Sequence, residues 1–318
     1  KEVITDGVEF ALDVSEAQIA TFSELVDRYR KGGFIGATNT LSRLPEKSMK
    51  QASAVYQKRP LTEAELKAAA LLHTEVAVLS GREGSFHLKA GKEYLERIEN
   101  ASSRRAFERR WFLALSHHLR SSPRSWGALG LLDDGLQSFP EDAEIRLAIG
   151  SVYETVGWMG VDKLLKQAEE QYRAILEAHP DQVEAHLRLG RVLQLQGQKE
   201  EALRELLWSL DHAEDPALKL VAHVLLGDIY NQRGELSRVI QSYQAALEID
   251  PRCQVAAVAL SHALHRVGDL VGSRDVVSRF LRHEESSSVA ADGWWRYLHG
   301  GSERRDSILQ EMREEVLQ

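Results

Sequence analysis

The feature that most constrains this chain is a set of small and aromatic residues recurring in one order between residues 183 and 281. His186-Leu-Arg-Leu-Gly190 followed by Gly197 is matched by His223-Val-Leu-Leu-Gly227 followed by Gly234. Gly268 lies 34 residues after Gly234, with Ser261 in place of the first small glycine. Gly227 lies 37 after Gly190, through a three-residue extension in the link DHAEDPAL. Upstream, AEIRLAIGSVYETVG carries Gly150 and Gly157, and its partner begins near Ala168. Gly190 follows Gly150 by 40 residues, which places about six extra residues near WMGVDKLL at 158–165. A fixed period of this size is the mark of a stacked array rather than of an enzyme core.

Within one copy, VLLGDIYNQRGELSRVIQSYQAALEIDP at 224–251, Leu226 and Tyr230 are four apart, as are Tyr243 and Leu247, so each couple shares a helical face. Gly227 and Ala246 are small where two helices must come close. Gly234 falls where the first helix should stop, and Pro251 is expected to open the next one. Each hairpin leaves an apolar face uncovered, so copies must stack. Weaker matches continue upstream at 112–119 with 128–140, 65–80 with 86–98, and 22–33 with 37–45. The last two sets read as divergent repeats or a helical cap. Capping boxes are expected at Ser15 with Gln18, Thr62 with Glu65 and Asp181 with Glu184. Asp215-Pro216 reads as a cap followed by proline at the first helical position.

On these residues the chain resembles the tetratricopeptide repeat family of 34-residue helix–turn–helix units. His223, Leu226-Gly227, Tyr230, Gly234, Val239, Tyr243, Ala246 and Pro251 carry the resemblance, with His223 and Val239 departing from the preferred types. It implies an all-α fold, a right-handed superhelical stack of antiparallel helix pairs. The expected organisation is a helical N-terminal region over 1–110, a repeat array over 111–281, and a linker with a capping helix over 282–318, forming one continuous solenoid. In the last segment Ile308, Leu309, Met312 and Val316 give an apolar stripe. That helix, with Trp294, Trp295 and Tyr297, is expected to cover the exposed end of the last repeat. Trp294 and Trp295 stand as a secondary interface if they are exposed instead.

In this family the first helices line a concave groove that holds a partner's peptide or helix. The family frame places Glu144, Leu147, Ser151 and Thr155 in that groove, then Glu184, Leu187, Arg191 and Gln194. Later copies add Val221, Val224, Asp228 and Asn231, then Val255, Val258, His262 and His265. A subset of the family clamps a C-terminal carboxylate with Lys and Asn at fixed positions. Leu187 with Arg191 and Val224 with Asp228 hold those positions here, which disfavours a tail clamp. Reversing the charges of Arg191 and Asp228 is expected to leave helicity intact and weaken binding.

Chemical motifs are sparse. HExxH, GxSxG, GxGxxG and GxxxxGK[ST] do not occur. His262-x-x-His265 lacks a third ligand at metal-site spacing, and adjacent His117-His118 diverge around a helix. His186 and His223 occupy the repeat's aromatic position and are expected to pack. A single cysteine, Cys253, excludes an intrachain disulfide. The acidic couples and the basic stretch Arg104-Arg105, Arg109-Arg110 read as solvated faces. Asn100-Ala-Ser is formally a glycosylation sequon.

The expected function is a non-enzymatic protein-interaction scaffold without metal or cofactor. The alternatives are a regulatory or peptide-processing protein with a ligand pocket in residues 1–110, and a self-associating repeat protein. A formal charge of −8 argues against a general nucleic-acid binder. No apolar run approaches the length that spans a bilayer. The chain begins at Lys1, as expected of a processed or trimmed product. A soluble protein is expected, in the cytoplasm or, after removal of a targeting segment, outside it.

Overall fold

A computed structural model describes residues 22–44, 46–80, 84–284, 293–299 and 302–318, and every regular element among them is helical. The expected cap at Ser15 and Gln18 lies outside the described residues. The chain divides into two compact units, residues 1–140 with 302–318, and residues 141–301.

The first unit contains α1 (22–30), α2 (Phe34–Leu41), α3 (Glu46–Tyr56), α4 (Glu63–Ser80), α5 (Gly84–Glu96), α6 (Ala101–Ser121), a 3-10 turn (Pro123–Ala128), α7 (Leu131–Ser138) and α17 (Ser302–Leu317). The capping box at Thr62 forms: Glu65 N–H donates to Thr62 Oγ1 at 3.3 Å, and Thr62 N–H donates to Glu65 Oε2 at 2.7 Å. A run of buried alanines, Ala68 to Ala70, lets α4 and α5 pack closely. α6 begins at Ala101, where Asn100 Oδ1 accepts from Ser103 N–H at 3.0 Å. A boundary after Arg110 therefore falls inside a 21-residue helix. Helix α3 falls outside the expected pairs. Of its described side chains only Ala52, Ser53 and Tyr56 are buried, a stripe too thin to stand out in EKSMKQASAVY.

The stripe Ile308, Leu309, Met312 and Val316 is buried as expected, but against α4 and α6 rather than over the last repeat. The reason is electrostatic as well as apolar. Buried Glu75 receives Tyr29 Oη at 2.5 Å, Thr38 Oγ1 at 3.1 Å and Arg313 Nε at 2.6 Å. Lys67 Nζ lies 2.7 Å from Glu315, which also pairs with Arg110. A carboxylate as buried as Glu75 requires a cation, and α17 supplies it.

The second unit is a run of helical hairpins: α8 (Ala143–Trp158) with α9 (Asp162–Ala178), α10 (Val183–Leu195) with α11 (Lys199–His212), α12 (Pro216–Gln232) with α13 (Leu236–Ile249), and α14 (Gln254–Arg266) with α15 (Leu270–Glu284). A seven-residue helix, α16 (Gly293–His299), completes it. The extra residues near Trp158 lengthen both helices of this hairpin, and α9 starts at Asp162 rather than near Ala168. Gly234 takes φ of 75°, a left-handed conformation that ends α12 and lets Glu235 N–H reach Tyr230 O at 3.0 Å. Gly227 sits against Tyr243, whose Cζ would be 2.7 Å from an added Cβ.

Two helix starts differ from expectation. Gln182, not Asp181, caps α10, its Oε1 accepting from Glu184 N–H at 3.0 Å. Pro251 lies in a turn three residues before α14, because Asp250 Oδ1 accepts from Arg252 N–H at 3.0 Å and holds an Asx-turn there. Asp215 caps α12 ahead of Pro216 as expected, accepting from Ala217 N–H at 2.8 Å.

Candidate functional site

The first helices α8, α10 and α12 carry most of the residues that the family frame places in a groove. Their exposure is uneven. Ser151, Leu187, Arg191, Val221 and Val224 are buried; Leu147, Glu184, Gln194 and Asp228 are half-buried; Glu144, Asn231, Val258, His262 and His265 are exposed. Asn231 Oδ1 accepts from Arg266 Nη1 at 2.8 Å.

A charged network at Glu154 accounts for the burial of Arg191. Glu154, on α8, has no exposed surface, and four donors meet its carboxylate. Tyr172 Oη and Arg188 Nη1 reach Oε2 at 2.7 and 3.2 Å; Arg191 Nη1 and Tyr297 Oη reach Oε1 at 2.5 and 3.1 Å. These donors match the four lone-pair sites of a carboxylate. Arg188 also pairs with Glu184 through Nε at 2.8 Å. Burial alone would lower the Arg188 pKa, but Glu184 and Glu154 outweigh it and hold the guanidinium firmly charged. Burial likewise opposes the Arg191 charge, and Glu154 with Tyr297 restores it. Burial raises the Asp228 carboxyl, against the opposing hydrogen bond from Tyr243 at 2.5 Å and the charge of Arg191.

Tyr297 belongs to α16, which lies over this face. Its ring stacks beneath Arg188, with Cζ 4.8 Å from the ring centroid, and beside Arg191 at 5.3 Å. Trp294 lies 5.9 Å and Trp158 5.8 Å from Arg191, so three rings lie close to one guanidinium. Thr155 Oγ1 donates to Leu298 O at 3.4 Å, and Gly293 approaches Leu220 of α12. α16 thus contacts α8, α10 and α12. Trp294, expected over the end of the array, is half-buried against this face; the side chain of Trp295 lies outside the described residues.

Arg191 therefore cannot be reversed at little cost. The change would place two carboxylates together in a dry site. Glu154 and Arg188 were absent from the sequence-based groove. The available signal was Glu154 itself, a charge within the otherwise apolar and small AIGSVYETVG.

Elsewhere His186 packs as expected, tilted against Trp208 with centroids 3.8 Å apart and its Nδ1 2.5 Å from Glu205. In the first unit Ser53 Oγ lies 3.3 Å from His73 Nε2 and 3.0 Å from Tyr94 Oη, and His73 Nδ1 lies 2.8 Å from His87 Nδ1. All four are buried, so the cluster is a polar layer of the core and not a pocket. Of the basic stretch, Arg110 pairs with Glu315 and Arg105 lies over Phe139. Among the described residues no three His, Cys, Asp or Glu are grouped to hold a metal ion, and no helix is long and apolar enough to cross a membrane.

Residues 161–263 match the model of a tetratricopeptide repeat-like domain. The chain is 29% identical over 147 residues to cellulose synthase operon protein C of Pseudomonas fluorescens (strain SBW25), a match covering 44% of this chain. It spans only 11% of that relative's length. Among solved structures it is similar to Pseudomonas aeruginosa PilF, at 18% identity and a TM-score of 0.49 over 67% of this chain and 90% of that one. It is also similar to MamA, at 22% identity and 0.43 over 50% and 88%. A Rap protein complexed with competence and sporulation factor gives 14% and 0.48 over 95% and 87%. The matched segment runs from α9 into α14, through the hairpins whose glycine spacing defined the repeat, and it is a tetratricopeptide repeat-like array.

Proposed function

We propose that this chain is a non-enzymatic interaction scaffold whose second unit receives a segment of a partner protein along the first helices of its repeats. The observation that carries this reading is α16: a seven-residue helix of the chain itself lies across α8, α10 and α12. That face therefore has the shape and chemistry to hold a short helix. Beyond it, Val258 is 60% exposed, with His262 and His265 also in solvent, extending an accessible strip along α14. An apolar contact beside polar groups suits protein recognition.

The test is affinity capture with the intact chain, followed by titration of the recovered partner. Val258→Asp with His262→Glu should weaken binding at least about tenfold, the scale expected when a contact residue is replaced by a charge. Helicity should not change. Equal affinity for both proteins would sink the groove assignment.

Self-association is a second reading, favoured by one observation. On α15, Leu270, Val271 and Leu281 are 51%, 80% and 53% exposed. A concentration-dependent mass in sedimentation, lost in Val271→Lys, supports it; a monomer at all concentrations removes it.

A further inference from the structure

We infer that α16 is a built-in occupant of the inner face, displaced by a partner helix that repeats its chemistry: two aromatic rings three residues apart, the second a phenol, followed by leucine. This deepens the proposed function and rests on the reading that the inner face binds protein segments.

The character of the floor under α16 carries the argument. A permanent cap covers apolar surface, and its removal exposes that surface to water. Here polar and charged contacts stand beside the apolar ones: Glu154, Arg188, Arg191 and Thr155 meet Tyr297, Trp294 and the Leu298 carbonyl, while Gly293 meets Leu220 of α12. Water can replace the Tyr297 hydroxyl on Glu154 and rehydrate both guanidinium groups, so an open state is accessible. Most of the network lies outside α16. Glu154 keeps Arg188, Arg191 and Tyr172, and Arg188 keeps Glu184. The hairpins pack through their own partners, α8 on α9, α10 on α11 and α12 on α13.

Length points the same way. Seven residues make about two helical turns, below what sustains a helix alone in water. α16 is held by its docking, and what docks is specific. Tyr297 lies 8% exposed with its hydroxyl on Glu154, and Leu298 is 6% exposed. Trp294 and Tyr297 lie with ring centroids 5.9 Å apart, which aligns both with the guanidinium of Arg191. A competing segment gains these contacts only by presenting both rings and the hydroxyl from one helical face.

Competition has a predictable size. Only residues 285–292 separate α16 in sequence from α15. A segment tethered over so short a span acts at an effective concentration of about 1 mM. Against a free peptide with an intrinsic dissociation constant of about 10 μM, that tether weakens apparent binding about 100-fold.

The probe is a fluorescent synthetic peptide of residues 289–301, titrated against the full chain and against full-length Trp294→Ala/Tyr297→Ala/Leu298→Ala. The expected result is binding to the triple variant at least tenfold tighter than to the parent, with both proteins equally helical. Adding Arg191→Ala to the triple variant should remove that binding, and a peptide with Phe at Tyr297 should bind several-fold more weakly. Equal binding to parent and triple variant overturns the occupant while leaving a peptide-binding face in place. Binding to neither, with helicity intact, overturns the occupant and counts against the binding face as well. Binding to the triple variant that survives Arg191→Ala overturns the site.

Discussion

Gly227 illustrates how a single absent methyl group sets the spacing of two helices. An added Cβ would stand 2.7 Å from Tyr243 Cζ, and Tyr243 is fixed by its hydrogen bond to Asp228. Gly227→Ala should therefore destabilise the second unit by about 1–3 kcal/mol, the usual cost of overpacking, read as a lower urea midpoint. The glycine was legible from its register; its collision partner was legible only as a large residue on the facing helix. His118 makes a contrasting case. Burial, with the nearby charge of Arg305, pushes its pKa from 6.5 down to about 4. The native state favours neutral imidazole, so this contribution is complete above about pH 6.5 and is lost as pH falls toward 4. At pH 5 the loss is about 2 kcal/mol. In urea titrations at pH 7.5 and 5, His118→Gln should show a correspondingly smaller difference. An unchanged pH dependence would show that another group governs it.

At the scale of elements, the repeats were the most legible because each hairpin writes its boundaries in small residues and turns. Helices α10 to α15 follow that spacing closely. α17 was legible as a helix but not as a contact, and the linker expected ahead of it contains α16. The stripe of α17 states that one face is buried, and nothing in its spacing names the surface that buries it. That information sits in Glu75, Lys67 and Arg110, charged residues distant in sequence whose need for partners becomes visible only once they share a core. Arg313→Ala should cost about 2–3 kcal/mol, less than a fully buried pair because Arg313 keeps some solvent contact. Faster hydrogen exchange in α4 and α17, with α10 to α13 unaffected, is the expected signature. Tyr297 posed the same difficulty, since its partner Glu154 lies 143 residues away.

For the whole molecule, one continuous solenoid with a divergent N-terminal region was expected, and the chain divides into two compact units of different construction. The second is modular, each hairpin leaning on its neighbours. The first is closed by residues that come from beyond the second. α6 runs through the position after Arg110, and the division into compact units follows Pro140, just before the regular hairpins begin. The residues assigned to a groove were legible as positions on first helices, and as no more than that. Which of them meet solvent was not, because exposure depends on α16, a helix outside the repeat frame.

The return of α17 to the first unit also sets an order of events at the ribosome. Synthesis proceeds from the N-terminus, and domains ordinarily fold in the order they emerge. Here residues 141–301 are complete before Arg313 exists to meet Glu75 or Glu315 to meet Lys67 and Arg110. The unit translated first is the one that finishes last. Until α17 emerges, the nascent chain carries an open apolar face on α4 and α6, a surface suited to early chaperone contact.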